Sequence, residues 1–446
     1  MPDSSKVLHR LTKEYQSAGK PISVSFRDLV PWIPYNSPRY SHQIHSYPAK
    51  VIPHIPHFFL GCKSIIGHDA QILDPFGGSG TVALEACLAG VNAIVSDSNP
   101  LARLITKVKT KPISPTHLLK SIQELRKLIL QSRTTTPPEV VNIEYWYHAD
   151  TIKQLSRVVA AIAKLDSSPF KRLSQVALSM TARKVSLADP RVAVPVRLKP
   201  DRYPENHPLR PKSEELLKCI ESGNAISVFL GVLQCCADQI ETLWPIRTDL
   251  GKLAHIYENS LGSDTKSLSV HPANSVDGIV TSPPYLGAQK YIRSSSLSLG
   301  WLAMTTPNQL RPLSDKSIGR EHFPKHRYSE AIPGCLHDAD PLIARIYKLN
   351  PLRAQIAATY LSEMQQVMAL CYKLLKRDGI LVLVSGCNIL SGERFDTTTF
   401  LRGICVTLGF KPVLEVTDII KSRGLMTRRN KTASIIPLES VILFRK

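Results

Sequence analysis

Two stretches of this chain combine residue types that could do chemistry with spacings that would aim them. The first runs from Val276 to Tyr285, VDGIVTSPPY. An apolar run of the buried-strand type passes straight into Ser282, two prolines and Tyr285, which sets polar groups at the carboxyl end of a strand, where open α/β sheets bind ligands. The prolines restrict φ and remove two backbone donors, so the turn is stiff and its carbonyls stay free to accept. The exocyclic amine of a nucleobase is a poor nucleophile because its lone pair is delocalised into the ring. Ser282 Oγ and the Pro283 carbonyl could orient its two protons, and Tyr285 offers a flat face for stacking. Taken alone, the same four residues read equally well as a strand-ending turn, so a second motif has to decide.

That motif lies upstream. Gln71 to Asp74 reads as a short strand, Pro75-Phe76-Gly77-Gly78-Ser79-Gly80 as a Gly-rich turn, and Thr81 to Ala89 as a helix with Val82, Leu84, Ala86 and Leu88 apolar. Glycines at a strand-to-helix turn let the backbone approach a ligand, and the helix start presents unpaired amides. Ala93 to Ser96 gives the next apolar strand, ending at Asp97. That is the place where an acid meets ribose hydroxyls in nucleotide-binding βαβ units. The loop has neither the Gly-x-Gly-x-x-Gly order of a dinucleotide site nor the Gly-Lys-Ser/Thr of a triphosphate site. A ligand with a ribose and little or no phosphate is implied.

Asp74-Pro75-Phe76-Gly77-Gly78-Ser79-Gly80-Thr81 together with Thr281-Ser282-Pro283-Pro284-Tyr285 resembles the two signature motifs of the amino-methylating DNA methyltransferases, which use S-adenosylmethionine. The resemblance covers roughly residues 41–110 and 253–446. It implies a doubly wound, mostly parallel seven-stranded α/β sheet with an antiparallel closing strand. It also implies that Asp74, Phe76, Gly77, Gly78 and Gly80 surround the methionine part of the cofactor, that Asp97 binds the ribose, and that Ser282, Pro283, Pro284 and Tyr285 hold a flipped-out base. A segment similar to Tyr47-Pro48-Ala49-Lys50 precedes the Gly-rich loop in that family and closes over the cofactor, which carries a role onto Tyr47 and Lys50. Asn259 stands after the strand Leu253 to Tyr257, where the family more often has an Asp against the adenine of the cofactor. Ser before Pro-Pro-Tyr looks like the cytosine-N4 branch, although the same site can serve adenine-N6. The Gly-rich loop precedes Ser-Pro-Pro-Tyr here, contrary to the permuted order common among Ser-Pro-Pro-Tyr enzymes.

Composition narrows the partners. With 446 residues the chain can hold a large catalytic domain and an inserted or appended one. Lys plus Arg number 56 against 36 Asp plus Glu, a net charge of +20, which suits a polyanion such as double-stranded DNA. No apolar run is long enough to span a bilayer, and Met1 to Gln16 is polar and mixed in charge, so a cytoplasmic location is expected. The nine cysteines are scattered without a C-x-x-C, so neither structural zinc nor a disulfide framework is expected, and without a Pro-Cys pair no thiolate nucleophile of the cytosine-C5 kind is evident. His42, His45, His54 and His57 form two His-x-x-His pairs, but prolines between Pro48 and Pro56 argue against one regular helix presenting them, and no metal is expected.

The remaining elements are read from periodicity. From residue 112 to 252 helical patterns dominate, over 118–130, 152–165, 170–185, 213–220 and 227–243, as an insertion between the second and third sheet strands and a candidate target-recognition region. Residues 1–111 and 253–446 form the two parts of the catalytic domain. Basic segments at 192–211, 316–327 and 421–431 are candidate nucleic-acid contacts or solvated loops. A helix over 355–376, a buried strand over 380–384, a helix over 398–408 and a closing strand pair, 412–417 with 438–444, complete the pattern. The reading is a DNA methyltransferase acting on cytosine N4 by base flipping, with adenine-N6 methylation as the alternative. An RNA base methyltransferase and a noncatalytic DNA-binding protein on the same fold are further rivals. A companion restriction endonuclease is a partner such an enzyme can have.

Overall fold

The computed structural model describes residues 1–34, 39–48, 50–257, 271–287, 290–328, 338–419 and 438–446. Its strands, in chain order, are β1 (Ile22–Val24), β2 (Gln71–Asp74), β3 (Asn92–Ser96), β4 (Ala254–Tyr257), β5 (Val276–Thr281), β6 (Leu375–Ser385), β7 (Asn388–Leu390), β8 (Glu393–Phe395), β9 (Lys411–Ile419) and β10 (Leu438–Arg445). Eight of them make one sheet in the order β1-β9-β10-β6-β5-β2-β3-β4, and β7 and β8 pair separately as a small hairpin. From β4 to β6 the neighbours run parallel, and β10 lies antiparallel between β6 and β9. The expected doubly wound architecture is borne out. One strand lies beyond the expected seven: β1 adds to the sheet edge, parallel to β9. Three residues carry too short an alternation to be read from sequence against the prolines that follow them.

Side-chain alternation along the strands divides the core into two faces. Ile380, Val382 and Val384 of β6 face one layer and Leu381 and Leu383 the other, and Val441 and Leu443 of β10 alternate in the same way with Ile442 and Phe444. A one-residue slip would exchange both sets, so burial on two sides fixes the register. The second layer is covered by the helix Pro351–Leu374, which buries Ala357, Tyr360, Leu361, Met364, Val367, Met368 and Cys371 at three- and four-residue spacing. Asn350 caps it by accepting from Arg353 N.

The first layer is covered by the helices Thr81–Ala89 and Pro100–Lys109 and, beyond them, by the inserted helices. Pro115–Gln131, Ala149–Ala163, Pro169–Lys184, Leu209–Ser222 and Ala225–Glu241 match the expected positions to within a turn. The apolar stripes of four of them, including Leu125, Leu155, Phe170, Leu173, Phe229 and Leu233, join the same buried cluster as the sheet, while Ile220 of Leu209–Ser222 packs in a small separate cluster with Leu187 and Leu198. Most of the insertion therefore packs onto the sheet's own core layer. Among the described residues no single helix is long and apolar enough to cross a membrane; the pair Leu209–Ser222 and Ala225–Glu241 reaches the length only across a bend of 102°.

Tracing the strand order explains where a ligand can sit. After β2 the chain steps outward to β3 and β4, then returns to the other side of β2 and steps through β5 to β6. The order reverses between β2 and β5, and a crevice opens outside the carboxyl ends of strands at such a point. Both motifs leave the sheet there.

Candidate active site

The Gly-rich loop leaves β2 and the Ser-Pro-Pro-Tyr loop leaves β5, and these two strands pair directly, Ile72 with Gly278 and Leu73 with Ile279. Thr281 Oγ1 donates to Asp74 Oδ1 at 2.8 Å, joining the last residues of the two strands. Phe76 N donates to the same carboxyl oxygen at 3.1 Å. Burial raises the Asp74 carboxyl to about 7 against the pull of these two bonds. The residue thus serves as the hinge of both loops and lies behind the cleft.

The cleft itself is walled by Phe76, Gly78 and Asp97 on one side and by Ser282 and Pro284 on the other. Gly78 sits at φ +49° and Gly80 at φ +75°, a region that favours glycine. Gly78 N donates to Asp97 Oδ2 at 2.9 Å and Asn99 N to Asp97 Oδ1 at 2.7 Å, so the acid after β3 is locked against the glycine loop. Burial raises Asp97's pKa, and these two bonds, with Arg103 nearby, oppose the rise. Each carboxylate oxygen keeps a lone pair for a further donor such as a sugar hydroxyl. Gly77 and Gly80 stand behind the loop, and both positions demand the absence of a side chain. A Cβ at Gly77 would fall 2.1 Å from Val95 Cγ1, and one at Gly80 would fall 2.7 Å from Thr106 Oγ1.

A third wall comes from the segment before the first motif. Tyr47 lines the cleft, accepts from Asn99 Nδ2 at 3.0 Å, and lies nearly parallel to Tyr291, ring centroids 6.4 Å apart. Asn99 Oδ1 also caps the helix Pro100–Lys109 by accepting from Leu101 N. Lys50 does not line the cleft; its ammonium donates to the His45 carbonyl. Burial brings its pKa down to about 8.

Of the expected residues, Tyr47, Phe76, Gly78, Asp97, Ser282 and Pro284 meet in one cleft. Pro283 is buried in the same turn, and Tyr285 turns its hydroxyl toward β10, donating to Glu439 Oε1 at 2.9 Å. Asn259 lies outside the described residues, as does the basic loop at 421–431. Sequence reading missed Ser317 and Ile318, which close the cleft beside Pro284. Gly319 follows them at φ +74°, close to the Tyr285 carbonyl and Pro284 Cβ, and that glycine inside a basic stretch was the signal. The stretch around it is less available for phosphate than its charge suggests. Arg320 pairs with Glu363 at 2.6 Å and lies over the Phe323 ring, and Lys290 pairs with Glu321 at 2.8 Å. In the 192–211 segment Arg197 donates to the Tyr145 carbonyl and Arg210 pairs with Glu214.

The histidine pairs have a structural use. The prolines do not prevent a helix: His54–Leu60 forms one with Pro53 as its cap and Pro56 in its first turn, where a missing donor is tolerated. His57 Nδ1 and His42 Nε2 both bond the buried carboxylate of Glu85, at 2.8 and 2.7 Å. His45 bonds Ser179 Oγ and His54 the Ile33 carbonyl. Each of the four rings bonds a protein partner through at least one nitrogen, and among the described residues no group of His, Cys, Asp and Glu is arranged to hold a metal ion.

Comparison with known proteins finds matches over parts of the chain. Residues 63–133, which span the Gly-rich loop and Asp97, match the family UPF0020, described as RMKL-like, methyltransferase domain. The chain is 26% identical to the Type II methyltransferase M.MvaI of Kocuria varians, over 62% of this chain and 60% of that protein. The resemblance to methyltransferases holds. A shorter match, 34% identical, links 22% of this chain to 17% of the Type II methyltransferase M.MjaII of Methanocaldococcus jannaschii. The chain thus spans less than two thirds of either relative. Among solved structures, the putative DNA modification methylase TTHA0409 of Thermus thermophilus, determined in complex with S-adenosyl-L-methionine, aligns over 42% of this chain and 53% of its own at 19% identity and a TM-score of 0.22, too loose to add to the fold already described.

Proposed function

We propose that this chain is an S-adenosylmethionine-dependent DNA methyltransferase that modifies the exocyclic N4 amine of cytosine. The observation that carries the reading is the shared cleft: a glycine loop locked to an acid on one side, and a polar Ser followed by two prolines on the other, at the switch point of a doubly wound sheet. Similarity to two Type II methyltransferases supports the reaction class.

The residues present fit such a cofactor. Gly78 faces the cleft with nothing closer than 3.9 Å to the place a Cβ would take, leaving its backbone approachable. Phe76, Gly78 and Tyr47 would enclose the methionine end, Asp97 would accept from the ribose hydroxyls, and Asp74, Gly77 and Gly80 would hold the loop in shape. Asn259 would meet the adenine, and Lys50 would brace the Tyr47 segment through the His45 carbonyl. When bound, S-adenosylmethionine supplies an electrophilic methyl group on a sulfonium.

The protein's share of the chemistry is orientation. Ser282 Oγ and the Pro283 carbonyl would accept the two amine protons, aiming the nitrogen lone pair toward the cofactor side of the cleft. Pro284 stiffens the turn. Tyr285 would stack on the base after it leaves the duplex, offsetting the few kcal/mol that flipping costs. The chain's excess of basic residues would supply sequence-independent affinity for the phosphates.

The test is transfer of labelled methyl groups from S-adenosylmethionine to duplex DNA, followed by nucleoside analysis. N4-methylcytosine is expected. N6-methyladenine instead would keep the site and change the base, label only on RNA would move the substrate, and absence of cofactor binding by calorimetry would leave a DNA-binding protein on this fold.

A further inference from the structure

The proposed reaction leaves one contact of the site unused. Tyr285 does not end in the open cleft: its phenol donates to Glu439, a residue 154 positions further along the chain. Glu439 is the second residue of β10, which is separated from β5 by β6, so the bond reaches over the end of an intervening strand. Directly opposite Glu439 on β9 stands Asp418, itself buried. Burial and the nearby Asp418 charge raise the Glu439 carboxyl, while the bond from Tyr285 and the charge of Arg27 oppose the rise. Two neighbouring acids with poor access to water are unfavourable, and an apolar or hydroxyl residue would serve a strand start better. The acid therefore needs a use.

Its geometry supplies one. A tyrosine ring held only at Cβ still turns about two bonds, whereas a bond at the para hydroxyl fixes the far end and with it the plane. A carboxylate can only accept, so it obliges the phenol to donate.

We propose that Glu439 is a positioning residue: by anchoring the Tyr285 phenol it sets the plane on which the target base stacks. This rests on the reading of Ser282 to Tyr285 as the base-holding side of the cleft. Side-chain ordering of this kind is worth roughly tenfold in rate for one immobilised residue.

The experiment is a double-mutant cycle on the single-turnover rate of methyl transfer to DNA. Glu439→Ala is expected to lower the rate about tenfold while leaving S-adenosylmethionine affinity within roughly twofold, and Glu439→Gln, whose amide oxygen can still accept, to retain most of the rate. In a Tyr285→Phe background Glu439→Ala is expected to cost nothing more. A full loss in that background, or an unchanged rate in the single variant, overturns the proposal. If the wild-type chain transfers no methyl group at all, the function reading has failed, and the anchor is read separately from the fluorine NMR signal of 3-fluorotyrosine placed at position 285. One narrow signal in wild type and Glu439→Gln, broadened or doubled in Glu439→Ala, supports it, and identical signals in all three overturn it.

Discussion

Removing the charge of Glu85 should loosen the ground on which the glycine loop stands, and the size of the effect follows from its surroundings. Glu85 lies on the helix that starts at the Gly-rich loop and is fully buried. It accepts from Arg39 Nη1 at 2.9 and 3.0 Å, from His42 at 2.7 Å and from His57 at 2.8 Å. Trp32 Nε1 donates to His57 Nε2, which assigns the other ring proton to Nδ1 and makes His57 a donor to Glu85. Burial alone would raise the Glu85 carboxyl, but the bonds from His42 and His57 and the charge of Arg39 carry it down from 4.5 to about 2. At about 1.36 kcal/mol for each pKa step, that fall corresponds to about 3 kcal/mol of stability. Because the folded value lies below the unfolded one, the contribution is complete above pH 4.5 and is lost as pH falls through about 2. His42, taken from 6.5 to about 4 chiefly by burial, acts in the same sense between those values. Glu85→Gln, which strands Arg39 against a neutral partner, is expected to cost about 3 kcal/mol at pH 7.5, the lower end for a broken buried pair because Arg39 keeps some access to water. Urea unfolding followed by tryptophan fluorescence at pH 7.5 and pH 3 measures it, and the variant's deficit should shrink at the lower pH. A loss under 1 kcal/mol at pH 7.5, or an equal deficit at both pH values, would refute the reasoning.

Three further outcomes are expected. Tyr285→Ala should lower turnover roughly 5- to 100-fold, from about 1–3 kcal/mol of base stacking, while the cofactor dissociation constant by calorimetry stays close to wild type; parallel losses in both would contradict the assigned role. Gly77→Ala places a Cβ against Val95 and should weaken cofactor binding, with Val95→Ala restoring it in the double variant; an unrelieved double variant would show that the crowding is elsewhere. Asp74, whose carboxyl is raised to about 7 by burial, favours its protonated form in the folded chain, so its contribution to stability falls as pH rises from about 4 through 7, by about 4 kcal/mol in all. Asp74→Asn should remove that slope, and stability curves that stay parallel between pH 4 and 7 would rule the effect out.

Much of the sheet was legible because its strands are buried on both faces and read as short apolar runs, as at Ile279-Val280 and Leu381-Val382-Leu383. The glycine loop and the Ser282 turn were legible because few residues other than Gly and Pro can supply those backbone shapes. What pattern could not supply was partnership. His42 and His57 look like ligands from their spacing and are donors to one carboxylate, 43 and 28 residues away. Arg320 looks like a phosphate contact and is spent on Glu363. Ser317 and Ile318 carry no chemical signature of their own, and only Gly319 after them marks the turn that packs their loop against Pro284. Charge and spacing report what a residue can do, and only the tertiary fold decides what it meets.

The insertion shows the same logic on a larger scale. Periodicity makes it a run of amphipathic helices, and nothing in that pattern ties it to the cleft. The helix Pro169–Lys184 nonetheless touches the cleft's third wall at two points. Ser179 Oγ bonds His45 Nε2 at 2.9 Å, two residues before Tyr47, and the Ser179 carbonyl accepts from Ser298 Oγ at 3.1 Å, in the helix that follows Tyr291. Tyr47 and Tyr291 come from segments more than two hundred residues apart in sequence, and one serine on an inserted helix braces both. His45 is buried with its pKa lowered to about 3, chiefly by that burial, so the ring is neutral and the brace is an uncharged hydrogen bond that salt and moderate acid leave in place. An insertion that only recognised a target could sit anywhere on the surface. This one shares the core layer of the sheet and holds a wall of the site, so its position is set by the same packing that brings the two motifs together.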